Sequence, residues 1–130
     1  MKNTFLRAWL LILIIASPAH AHHSLAAYET SSYRTVTGTV KEFTWSNPHT
    51  WLTLVVEDES GEEIDWEFEG GNPGRLQRGG FAENTIASGD HITVSYHRKL
   101  DNSIGGFFLA VTKDDGEQFA LPRFRGLREE

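Results

Sequence analysis

Cysteine is absent from the 130-residue chain, and methionine occurs once, as Met1. Disulfides, thiolate metal centres and a cysteine nucleophile are thereby excluded, and stability has to come from packing. Any metal site would be built from nitrogen and oxygen ligands. Long apolar runs are also scarce. The longest, Ala8 to Ala16, falls far short of the roughly 20 residues a membrane-spanning helix needs. Positive charge is in deficit, with 12 Lys and Arg against 18 Asp and Glu and a net charge of −6. That balance argues against nucleic acid or an anionic lipid surface as partner. No nucleophile elbow, zinc-protease helix or phosphate-binding loop is found, and the glycine-rich Asn72-Pro73-Gly74 and Arg78-Gly79-Gly80 match none of them.

What is present begins with an export signal. Lys2 and Arg7 precede the apolar run, and Ser17-Pro18-Ala19-His20-Ala21 closes on the small-x-small pattern read by signal peptidase. Residues 1–21 therefore read as a cleavable secretory leader, which predicts a periplasmic protein with no stable membrane anchor after cleavage. The 109 residues that follow suit one domain. They keep 10 basic against 18 acidic side chains, so the formal charge moves to −8.

Residues 22–32 have little periodicity and read as an N-terminal arm. A β domain is expected over 33–121 and a surface tail over 122–130. Thr35 to Val40 alternates with period two around Gly38, and the apolar phase then slips to Phe43 and Trp45, as a bulge near Lys41 requires. Asn47-Pro48 breaks this strand, and Trp51 to Val56 starts the next. Glu59-Ser60-Gly61-Glu62 is a hairpin turn into Ile64 to Glu69, with Ile64, Trp66 and Phe68 on one face and Asp65, Glu67 and Glu69 on the other. Asn72 as N-cap, Pro73 at the first helical position and Gly79 at the end predict a short helix. Strands around Ile92 to Tyr96 and Phe107 to Thr112, and a short one near Phe119, complete the chain. Three strands, a short helix and two more strands are the order of a small OB-like five-stranded Greek-key barrel. Another small antiparallel barrel or sandwich is the alternative.

The start Ala21-His22-His23-Ser24-Leu25, the segment Trp45-Ser46-Asn47-Pro48-His49-Thr50-Trp51, Trp66-Glu67-Phe68-Glu69 and Ser88-Gly89-Asp90 resemble a family of small exported bacterial proteins classed as a domain of unknown function. The resemblance spans nearly all of the chain after the leader. It implies a periplasmic setting and a small β-barrel and carries no activity with it.

Five histidines remain after cleavage at Ala21: His22, His23, His49, His91 and His97. His22 would then present a free amine and an imidazole that close a chelate ring on one ion, with His23 adding an imidazole and a backbone amide. Nitrogen ligands in an oxidising compartment favour Cu(II), with Zn(II) behind it. Cleavage after Ala19 would give His20-Ala21-His22, which also suits square-planar copper. His49, held behind Pro48 between Trp45 and Trp51, is the candidate further ligand if the arm folds over that end. The competing reading is a disordered arm and a histidine that only packs or hydrogen-bonds. His91 and His97 lie about 20 Å apart along one strand and read as solvent-facing. The carboxylates from Glu57 to Glu69 read as a solvated face that blunts aggregation, without the ligand spacing of a calcium loop. Trp45 and Trp51 are candidates to stack on a ligand. The expected function is a non-catalytic binding module for metal capture or delivery, with a protein-interaction module of a periplasmic assembly as the alternative.

Overall fold

The computed structural model describes residues 25–127. The leader, His22 and His23 lie outside them. Six strands and one helix follow in order: β1 Arg34–Thr44, β2 Trp51–Glu57, β3 Glu63–Glu69, α1 Pro73–Arg78, β4 His91–Arg98, β5 Gly106–Lys113 and β6 Gln118–Ala120. The chain is thus mostly β with one lone short helix, as its alternating segments predict. Among the described residues no helix is long and apolar enough to cross a membrane.

Hydrogen-bonded neighbours run β3-β2-β1-β4-β5-β6, and a further pairing of β3 with β5 closes the first five strands into a ring. Every pairing is antiparallel except this closing one, which is parallel and short: Phe68 opposite Gly106, and Glu69 opposite Phe107. β6 adds to β5 outside the ring.

A long first strand can serve two neighbours only if it bends. The register of β1 against β2 shifts between Val40 and Glu42, so Lys41 is the extra residue that the slip of apolar phase requires. Gly38 sits where β1 presses on β2, and a Cβ there would stand 2.5 Å from the Val55 carbonyl oxygen. At the closing seam Gly105 has φ +91°, and a Cβ on it would come within 1.9 Å of the Glu67 oxygen. Only glycine lets the chain pass so close to the β3 backbone in that left-handed conformation.

The core lies inside the ring. Leu52 and Leu54 of β2, Phe68 of β3, Ile92 and Val94 of β4 and Val111 of β5 are fully buried, each contributing about 1.5–3 kcal/mol on burial. Leu76 of α1 is also fully buried, which fixes the helix against the ring. Asn72 caps that helix, its side chain accepting from the Arg75 amide, and Pro73 begins it.

Both ends of the described chain lie on the outside of the ring rather than away from it. Tyr28 is buried and forms a β-bridge with Lys99, with the Glu29 amide donating to the Arg98 oxygen and the Leu100 amide to the Ala27 oxygen, each at 2.9 Å. At the other end Phe124 and Leu127 pack against the core, around a short 3-10 turn at Pro122–Phe124. These two segments change the reading of His97. It does not face solvent: only 5 % of it is exposed, its Nδ1 donates to the Ser32 oxygen at 2.7 Å, and its ring meets Phe124 edge-on. Strand alternation assigns a residue to a face, but whether that face meets water depends on what the rest of the chain lays over it. His91, on the same strand, is exposed as expected.

Candidate functional site

The hairpin of β2 and β3 determines which residues meet His49. Its turn sets Glu57 opposite Glu63 and Trp51 opposite Glu69. The pairing continues past the strands, the Thr50 amide donating to the Gly71 oxygen at 3.1 Å and the Gly70 amide to the Thr50 oxygen at 2.8 Å. His49 is thereby brought alongside Glu69 and Gly70. The preceding turn contains a cis Asn47–Pro48 bond and is tied by Ser46 Oγ, which donates to the His49 oxygen at 2.8 Å.

His49 Nδ1 lies 3.0 Å from the Gly70 oxygen and 3.0 Å from Glu69 Oε1. A carbonyl oxygen only accepts, so Nδ1 carries the proton and donates it to Gly70, with the Glu69 carboxylate alongside. The side chains of His49 and Glu69 are 18 % and 13 % exposed. The second carboxylate oxygen, Oε2, accepts from the Tyr28 hydroxyl at 2.6 Å. Burial, and then the hydrogen bond and charge of Glu69, raise the Tyr28 phenol well above the ordinary tyrosine range. Its ring packs on Phe107, with centroids 5.7 Å apart, and Phe107 pairs with Glu69 across the β3–β5 seam. Arm, ring and Asn-Pro-His turn therefore meet on one carboxylate, at the point where the ring closes.

Neither Glu69 nor Tyr28 is among the candidate ligands that the sequence offers. Glu69 shares its parity with Glu63, Asp65 and Glu67, which are exposed, whereas Glu69 is largely covered. The signal that could have found it is the hairpin register, since counting outward from the Ser60-Gly61 turn sets Glu69 opposite Trp51, two residues after His49. The bond from Tyr28 spans 41 residues and leaves no local pattern.

Of the proposed ligands, His49 lies at this site and His22 and His23 lie outside the described residues. Among the described residues no group of three or more His, Asp or Glu side chains stands together as a metal centre would require. Trp51 beside His49 is 45 % exposed, while Trp45 is half-buried and meets Phe43 edge-on. His91 does not join the site and pairs instead with Asp114, at 2.9 Å.

The class defined by these features is a small β-ring protein whose N-terminal arm is fastened to the ring seam. The chain belongs to the family of unknown function DUF6152, whose profile matches residues 10–116. No curated protein and no solved structure matches it.

Proposed function

We propose that the protein is an exported, non-catalytic binding module. On this reading residues 1–21 are a secretory leader, and cleavage in the periplasm frees the amine of His22. That amine and imidazole, with His23 and His49 as co-ligands, take Cu(II), and Zn(II) less well, for capture or delivery. The ring is read as an OB-like Greek-key barrel, supported by the helix between its third and fourth strands and by the pairing of β3 with β5 and of β4 with β1.

The observation that carries the reading is the fastening of the arm beside His49 through Tyr28 and Glu69. His23 is five residues before Tyr28, a length of chain that reaches at most about 17 Å. A carboxylate on Nδ1 is also the way proteins orient a ligating imidazole and raise its basicity.

Calorimetric titration with copper tests the proposal on three forms: the chain beginning at His22, the same chain with Met-Ala ahead of His22, and the His49→Ala variant. The authentic start should bind at least about tenfold more tightly than the extended one, since the extension removes the amine chelate. The variant should fall between them. Equal, weak affinity for the first two would sink the N-terminal site.

A further inference from the structure

A cavity of about 360 Å³ opens on the outside of the ring between the arm, α1 and the C-terminal segment. Its apolar lining is Phe107 and Leu109 of β5, almost wholly covered, with the more open Leu25 and Phe124. Two arginines line it, Arg75 from α1 and Arg123 from the 3-10 turn. In a chain of net charge −6, carboxylates for these arginines are plentiful. Among the described residues neither Arg75 nor Arg123 forms an ion pair with a carboxylate, as is also true of Arg34, Arg78 and Arg125, whereas Arg98, Lys41 and Lys113 each do. His97, also in the lining, has its Nδ1 committed to the Ser32 oxygen.

Two arginines beside apolar side chains are matched by one ligand chemistry, an acid group on a hydrocarbon body. A guanidinium offers a planar fork that fits a carboxylate with two parallel hydrogen bonds. The apolar side chains give nothing to a small inorganic anion, and a neutral hydrocarbon leaves both arginines unanswered. The volume is of the size that holds small organic molecules. We infer that this cavity is a binding site for an organic monoanion, whose carboxylate is taken by Arg75 and Arg123 and whose aliphatic or aromatic body rests on Leu25 and Phe124. The inference is independent of the metal reading, because it uses neither His22, His23 nor His49.

The test follows backbone and side-chain NMR shifts of the protein, as the producing cell releases it, during titration with octanoate, acetate and 1-octanol. Octanoate should give saturable shifts centred on Leu25, Phe107, Leu109 and Phe124, at least about tenfold tighter than either acetate or octanol. Arg75→Leu and Arg123→Leu should each weaken octanoate about tenfold, the loss expected for one charge-assisted hydrogen-bonding partner. Arg123→Lys should retain part of the affinity, and Lys41→Gln, which removes an equal charge outside the cavity, should leave it unchanged. Unperturbed spectra away from the cavity show that the variants are folded. Octanol binding as tightly as octanoate, shifts centred elsewhere, or arginine variants that bind like the parent would overturn the site.

Discussion

Two histidine–carboxylate contacts of nearly equal length stand in this molecule. His49 Nδ1 is 3.0 Å from Glu69 and His91 Nδ1 is 2.9 Å from Asp114. Their surroundings differ. The first pair is 18 % and 13 % exposed, the second 54 % and 71 %. Glu69 also accepts from the Tyr28 hydroxyl and lies where β3 meets β5, while Asp114 sits in the exposed turn after β5. Distance alone therefore does not rank them. Water competes for both partners at His91 and for little of either at His49, so the same separation is worth more at the seam.

The largest effect should come from Glu69→Ala. It removes the acceptor of the Tyr28 hydroxyl and the carboxylate beside His49, and leaves a phenol without its partner in a mostly covered site. The expected loss is about 2–3 kcal/mol in urea unfolding. A loss no greater than that of Asp114→Ala would break the comparison, since burial would then make no difference.

Next in size, Tyr28→Phe keeps the ring on Phe107 and deletes only the hydroxyl, for about 1–2 kcal/mol. Its pH dependence sharpens the point. The Tyr28 phenol is raised in the folded protein, so the folded state holds that proton more tightly than the unfolded chain, where a tyrosine titrates near about 10. The contribution is complete below that value and is lost as pH rises beyond it. The stability difference between parent and Tyr28→Phe should thus be constant from pH 7 to 9 and shrink above about 10. Tyr96, whose phenol is also raised by burial, is common to both proteins and cancels. Hydrogen exchange at the Glu29 and Leu100 amides should quicken in the variant if the hydroxyl is what fastens the arm.

Local features of this fold were legible because local patterns encode them. The alternation of Ile64, Trp66 and Phe68, the phase slip at Lys41 and the Asn72-Pro73 helix start each reflect interactions within a few residues, and the structure has all three. The seam was not legible in the same way. β3 and β5 touch through two residue pairs far apart in the chain, and hydrophobic periodicity says which face is buried, not which strand lies alongside. His97 was misread for a related reason, since Ser32 and Phe124 that cover it come from opposite ends of the described chain. At the site, His49 could be chosen from its sequence setting. Glu69 could not be told from three exposed carboxylates of equal parity without the hairpin register, and Tyr28 carried no signal.

The smallest effect belongs to the exposed pair and isolates what burial adds. Asp114→Ala should change stability by no more than about 0.5 kcal/mol, as for most surface substitutions. At 1 M salt the screening length falls to about 3 Å, the span of the contact itself, so whatever remains of that effect should vanish. The cost of Glu69→Ala should largely survive the same salt, because the counterions that screen His91 have little access to the seam. If salt erased both costs alike, the His49 pair would be as solvated as the His91 pair. The Tyr28 bond would then be the only part of the network that holds the arm, and the case for His49 as an oriented ligand would lose its physical basis.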